Sequence, residues 1–247
     1  MRWKTFAGRC IHRDMFDAKV HQNMVYRWLT LGSDALQTVI NRRHPERSVL
    51  QYVQPLIFAA KTCPGDSCLL GLGGAGAAHA LAPYLEGFQL DVVEQSLHVI
   101  EMAHTYFMTS RIRDLRVIHQ EALFFLQHTD SRYQHMMIDL FNAHFFPRHC
   151  NSADFFKYCR EVLLPGGVLA VNLANVEEQW PIFNLIRVHF QHCTIVMPVK
   201  GTANMVVLAY KGSSINPILS VLRQSARLKH LIWDAHWGYL AQINVSS

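Results

Sequence analysis

The sequence predicts an α/β fold built on one mostly parallel sheet, and three observations carry that prediction. From Cys68 onward, short apolar runs alternate with segments of helical period. The first of these runs enters a glycine-rich turn, Gly71-Leu72-Gly73-Gly74-Ala75-Gly76, which opens a helix. The run at 135–139 is nearly all apolar, as a strand buried on both faces must be.

Residues 1–48 read as a small β-rich lead-in. Ile11, Met15 and Val20 sit in a poorly periodic run, whereas Tyr26-Arg27-Trp28-Leu29-Thr30-Leu31 alternates as a strand does. Gly32-Ser33-Asp34 supplies the next turn. Residues 49–247 read as the main domain. It starts with helical spacing at 49–60, despite Pro55. Strands are then expected at 68–72, 89–94, 116–119, 135–139 and 168–172. The helices between and after them fall at 77–84, 97–107, 123–128, 154–163 and around 181–189. Pro165-Gly166-Gly167 stops the helix before the fifth strand. Two last strands, 194–199 and 204–210, are joined by a Lys200-Gly201 turn. So short a connection makes them antiparallel neighbours, and this reversed hairpin is read as ending the sheet. Only a short segment follows Tyr210.

An open sheet of this type is Rossmann-like, and it binds ligands beyond the carboxyl ends of its strands. The first, second and fourth strands end in Gly71, Glu94 and Asp139, so these three converge on one edge. Gly71, Gly73, Gly74 and Gly76 suit a sharp turn where a ligand must approach the backbone without intervening Cβ atoms. Glu94 can accept two hydrogen bonds from ribose hydroxyls. A tight strand–helix turn with no ligand is the plainer reading of the loop alone. Loop, context and acid together point to an adenosine ligand, either NAD or one of the S-adenosylmethionine type. The turn at Leu163-Leu164-Pro165-Gly166-Gly167 and the reversed hairpin favour the second. A nicotinamide enzyme would also need a substrate domain, for which little chain remains.

Composition narrows the class. Half of the 247 residues are hydrophobic and 17% are charged, which excludes a disordered chain. Met1-Arg2-Trp3-Lys4-Thr5 leads into mixed polar sequence without an apolar core, and the greasiest stretch, 68–82, is glycine-rich and broken by His79. A soluble cytoplasmic protein away from membranes is therefore expected, its six scattered cysteines reduced. Two arginine clusters contribute to the charge of +5: Arg42, Arg43 and Arg47, and Arg111, Arg113 and Arg116. Without interleaved aromatics they read as solvated surface, not as a nucleic-acid face. Fifteen histidines do not make a metal site: His149-Cys150 and His192-Cys193 show no acidic partner at ligand spacing, so no metal is expected.

Along residues 26–210 the chain resembles the spermidine synthase (polyamine aminopropyltransferase) family, a variant of the class I methyltransferase fold. The resemblance rests on Leu31-Gly32, residues 70–76, Val92-Val93-Glu94, Gln120-Glu121-Ala122, Ile138-Asp139 and Leu164-Pro165-Gly166-Gly167. It implies that Glu94 holds the ribose and that Glu121, with Ala122, meets the adenine edge. It also implies that Asp139 is the general base that takes a proton from the attacking amine. Tyr52 and Asn142 fall at acceptor-side positions. The implied donor is decarboxylated S-adenosylmethionine, or S-adenosylmethionine itself. Methylthioadenosine is the product of aminopropyl transfer, the acceptor is an amine, and a homodimer through the N-terminal region fits the family. Read from the residues alone, Asp139 and Glu121 are also ordinary turn or cap formers.

The departures bear on the substrate. Gly74 stands where the family has an aspartate that clamps the donor's aminopropyl amine. Asn142 replaces the second carboxylate of the catalytic motif, Gln54 an acid, and Lys200 a channel tyrosine. Polycations bind through paired carboxylates, so these changes argue against ordinary spermidine synthesis. Three functions stay open: aminopropyl transfer to an amine, methyl transfer from S-adenosylmethionine, and non-catalytic nucleoside binding.

Overall fold

The computed structural model describes residues 4–15, 17–32, 36–140 and 145–244. Four antiparallel strands open the chain in the order β1-β2-β3-β4: β1 (Arg9–Arg13), β2 (Ala18–Gln22), β3 (Tyr26–Leu31) and β4 (Leu36–Asn41). Asn23 makes the β2–β3 turn, its side-chain oxygen accepting from the Val25 and Tyr26 N–H groups at 3.0 and 2.7 Å. The poorly periodic run before Tyr26 is thus strand as well. Ala18, Val20, Leu29 and Ile40 bury one face of this sheet against Val99, Met102 and Phe107. The turn expected at Gly32-Ser33-Asp34 falls largely outside the described residues.

The expected helix at 49–60 is divided into α1 (Val53–Leu56) and α2 (Phe58–Thr62), with a break at Ile57. Pro55 lies in the first and brings no backbone donor to the helical ladder.

The second sheet has nine strands in the order β12-β13-β10-β11-β9-β8-β5-β6-β7. At its centre β5 (Ser67–Leu70) is flanked in parallel by β6 (Leu90–Glu94) and β8 (Tyr133–Ile138). Beyond them β7 (Leu115–His119) and β9 (Leu163–Leu173) are also parallel. Alternate strand residues feed opposite layers. Leu69, Val92 and Met137 pack with α1, α2, α3 (Gly76–Leu81) and α8 (Asn216–Gln224). Leu70, Val93 and Ile138 pack with α5 (Ala122–His128), α6 (Ala153–Val162) and α7 (Val176–His189). That two-sided cover is why the central strands read as continuous apolar runs. α4 (Leu97–Tyr106) joins the two sheets.

Two expectations need correction. The Leu164-Pro165-Gly166-Gly167 segment does not precede β9 but lies within it. Leu163 opposes Tyr133 and Val168 opposes His135, so extra residues bulge out of register. Gly167 is required there, since a Cβ would stand 2.9 Å from the Leu164 oxygen and 3.0 Å from that of Gln134. The hairpin of β10 (Thr194–Pro198) and β11 (Met205–Tyr210) is antiparallel as expected, but it does not end the sheet. The chain continues through α8 into β12 (Leu228–Asp234) and β13 (Gly238–Ile243), and β13 runs parallel to β10. Asp234 folds this second hairpin by accepting from the His236 and Trp237 N–H groups, each at 2.8 Å. Arg116 is exposed, as expected of a solvated arginine, and it also anchors a buried group. It grips the buried Asp91 at 2.8 and 2.5 Å, and the Tyr133 hydroxyl donates to the same carboxylate at 2.5 Å. A buried carboxylate needs such partners.

Candidate active site

Parallel register brings the ends of β5, β6 and β8 to one edge. The Gly71 N–H donates to Val93 O at 2.8 Å, and the Asp139 N–H donates to Leu70 O at 2.9 Å. Gly71 has φ +96°, and a Cβ there would lie 2.5 Å from the Asp139 carbonyl oxygen. Only glycine lets the chain turn this close to its neighbour. Glu94 then ties the loop down. One carboxylate oxygen accepts from the Leu72 N–H at 3.1 Å, the other from the Ser96 N–H at 2.9 Å. A carboxylate has about four lone-pair sites, so acceptor capacity remains for a ligand.

A cavity of about 650 Å³ opens over this edge, lined by Gly71, Gly73, Glu94, Glu121, Ala122 and Asp139 among others. Six of the residues singled out by the sequence therefore share one space. Gly76 lines an adjoining cleft instead, and Gly74 lines neither. The Gly74 N–H donates to Thr38 Oγ1 at 2.8 Å, and its Cβ direction is filled by Thr38 carbons at 2.9 Å and by Phe107 at 3.0 Å.

Glu121 has two local duties. It caps α5 by accepting from the Leu123 and Phe124 N–H groups, each at 2.9 Å. It also accepts from His149 Nε2 at 2.9 Å, and the Cys150 thiol lies 4.0 Å from the same oxygen. The acidic partner that His149-Cys150 lacks locally is thus supplied from 28 residues upstream, out of reach of a spacing argument. The ligand atoms of this trio lie within 4.8 Å of one another, close enough to hold a metal ion. Burial, reinforced by the Glu121 charge, pushes the Cys150 thiol far up, which opposes the thiolate that a metal would need.

The adjoining cleft measures about 570 Å³ and shares Gln37, Gly71, Gly73 and Asp139 with the first cavity. Asp139 therefore stands in the wall between them. One of its oxygens accepts from the Tyr52 hydroxyl at 2.9 Å, the other from Asn172 Nδ2 at 2.9 Å. Asn172 Oδ1 in turn accepts from Asn204 Nδ2 at 2.9 Å. Burial pushes the Asp139 carboxyl above its ordinary range, while the bonds from Asn172 and Tyr52 pull the other way. Burial and the Asp139 charge hold the Tyr52 phenol well above its own range, so it stays a neutral donor. Sequence reasoning reached Tyr52 and missed the two asparagines. Asn172 was legible only as the polar end of an apolar strand. Gln54 lines neither cleft: it donates at 2.8 Å to Ser48 Oγ, which lines the smaller one, and accepts from Arg227 at 2.9 Å. Lys200 is exposed in the β10–β11 turn. Asn142 lies outside the described residues.

The fold is Rossmann-like, of the class I methyltransferase type. Its large, mostly parallel sheet carries an antiparallel hairpin and an added N-terminal sheet. In sequence and in fold the chain resembles the spermidine synthase family. Over 206 residues it is 23% identical to a polyamine aminopropyltransferase of Neisseria meningitidis serogroup A, covering 81% of this chain and 78% of that one. Spermidine synthase from Thermotoga maritima superposes with a TM-score of 0.69 at 15% identity, over 87% of this chain and 78% of that one. Human methyltransferase-like protein 13, solved in complex with SAH, gives 0.57 at 16% identity, over 76% and 97%. No protein-family model matches the chain. Among the described residues no helix is long and apolar enough to cross a membrane.

Proposed function

We propose that this chain is an aminopropyltransferase. It would bind decarboxylated S-adenosylmethionine in the larger cavity and an amine acceptor in the adjoining cleft. The observation that carries the reading is the position of Asp139 in the wall common to both spaces. The larger cavity suits a nucleoside, with Gly71 allowing close backbone approach and Glu94 retaining acceptor sites for ribose hydroxyls. Glu121 and Ala122 line the same cavity where the adenine edge would lie.

An amine arriving as its ammonium must lose a proton before its nitrogen can attack. Asp139 takes that proton, and burial makes it a stronger base than an exposed aspartate. The nitrogen then bonds to the donor carbon next to the sulfonium. The carbon–sulfur bond breaks, its electron pair stays on sulfur, and neutral methylthioadenosine leaves. Tyr52 and Asn172 fix the carboxylate's orientation throughout.

The packing around Gly74 favours a second reading. Thr38 and Phe107 fill the space where a side chain would clamp the donor's aminopropyl amine. A site without that acid also accepts S-adenosylmethionine itself, whose extra carboxylate it does not repel. Calorimetry against S-adenosylmethionine, its decarboxylated form, methylthioadenosine and NAD separates the readings. Tighter binding of the decarboxylated donor supports aminopropyl transfer. Preference for intact S-adenosylmethionine supports methyl transfer, and failure of every adenosine ligand to bind at millimolar concentration refutes both.

A further inference from the structure

The two clefts differ in charge. Glu94, Glu121 and Asp139 line the larger one. Asp139 is the only carboxylate among the described residues lining the smaller one, where the other charged residue is Lys4. Its remaining polar wall is neutral and includes Tyr52, Asn172, Thr202 and Asn204. Of the replaced acids, Gln54 does not itself line the cleft: it donates to Ser48, which does, and accepts from Arg227.

We infer that the acceptor is a monoamine with an uncharged hydrogen-bonding tail, an amino alcohol or amino amide, and not a diamine. This rests on the transferase reading above. One ammonium is matched by Asp139, which also takes its proton. A second ammonium at the far end of the same molecule would leave water with no further carboxylate among the described lining residues to match it. A hydroxyl or amide in that position trades hydrogen bonds with the asparagine and threonine wall at no charge cost. A carboxylate tail would be opposed by Asp139.

The test compares three four-carbon amines that differ only in the tail: 4-amino-1-butanol, putrescine and 4-aminobutanoate. Each is assayed for methylthioadenosine release from decarboxylated S-adenosylmethionine. Each is also titrated against protein saturated with methylthioadenosine, so that selectivity is read without turnover. The amino alcohol should exceed putrescine at least about tenfold in both, the scale of one weakly screened charge contact. Thr202→Glu, which adds a carboxylate to the far wall, should swing the binding preference toward putrescine by a similar factor. Preference for putrescine or 4-aminobutanoate in the parent protein overturns the inference while leaving the transferase reading intact. Failure of methylthioadenosine to bind removes the transferase reading instead. Amine titration of the unloaded protein then still decides selectivity, and absence of binding by all three amines overturns the inference.

Discussion

Replacing Asp139 by asparagine separates chemistry from architecture. In the parent, its two oxygens accept from Tyr52 and Asn172, each at 2.9 Å. The amide of Asp139→Asn can turn its oxygen to Asn172 and its NH₂ to the Tyr52 oxygen, which also accepts. Both contacts survive as neutral hydrogen bonds, about half as strong as charged ones. Against that loss, the variant no longer buries an anion whose pKa burial has raised. A carboxyl with a raised folded pKa lends stability at low pH and loses it as pH rises through that value. At neutral pH the parent therefore carries a penalty that the variant lacks, and Asp139→Asn should be as stable as the parent or more so. Turnover should nevertheless fall by about 10²–10⁴-fold, or roughly 3–5 kcal/mol of barrier. Methylthioadenosine affinity should move less than about tenfold, since Glu94 and the loop backbone are untouched. Thermal melts, calorimetry with methylthioadenosine and single-turnover rates measure the three quantities. Unchanged turnover, or a loss of nucleoside binding as large as the loss of rate, would refute the base assignment.

Glu94→Ala should weaken methylthioadenosine binding by about 3 kcal/mol, on the order of a hundredfold, because two charged hydrogen bonds to ribose are lost. Glu94→Gln should lose less, and calorimetry on both variants checks the ranking. Gly74→Ala should cost about 1–3 kcal/mol in a denaturant melt, since its Cβ would press on Thr38 and Phe107; an unaffected midpoint would show that the loop can shift. Acid should destabilise the fold through His135, whose Nε2 donates to Cys63 O and whose pKa burial lowers from 6.5 to about 4. Between these values the unfolded chain binds the extra proton, so stability falls as pH drops, by up to about 3 kcal/mol. Denaturation series across that window should show a flatter slope in His135→Gln, and parallel slopes would exclude His135 as the source.

Some of this was legible in the sequence because the signals are local. The loop, Glu94 and Asp139 announce themselves as strand ends, and the parallel direction of β5, β6 and β8 follows from alternation. What stayed hidden depends on distant pairing. Asn172 and Asn204 matter because β11 lies antiparallel to β9, with Met205 opposite Leu173, and no periodicity reveals that register. The His149–Glu121 pair joins a turn to a helix cap far upstream. The β12–β13 hairpin was passed over because its residues are largely half-exposed, so the apolar contrast that marks a central strand is weak.

The N-terminal strands bear on the site in a way that their sequence does not suggest. Ala18 and Leu31 line the larger cavity, Thr38 the smaller, and Gln37 both. Thr38 also holds the loop by accepting from the Gly74 N–H, and the same residue fills the space beside Gly74 that a clamping side chain would need. One β4 threonine therefore substitutes a neutral backbone contact for a charged contact to a donor amine. That substitution leaves the loop without a carboxylate beside Gly73, which lines both spaces. It acts in the same direction as the single carboxylate of the smaller cleft, and the two together favour an acceptor that brings one positive charge to Asp139 and no other.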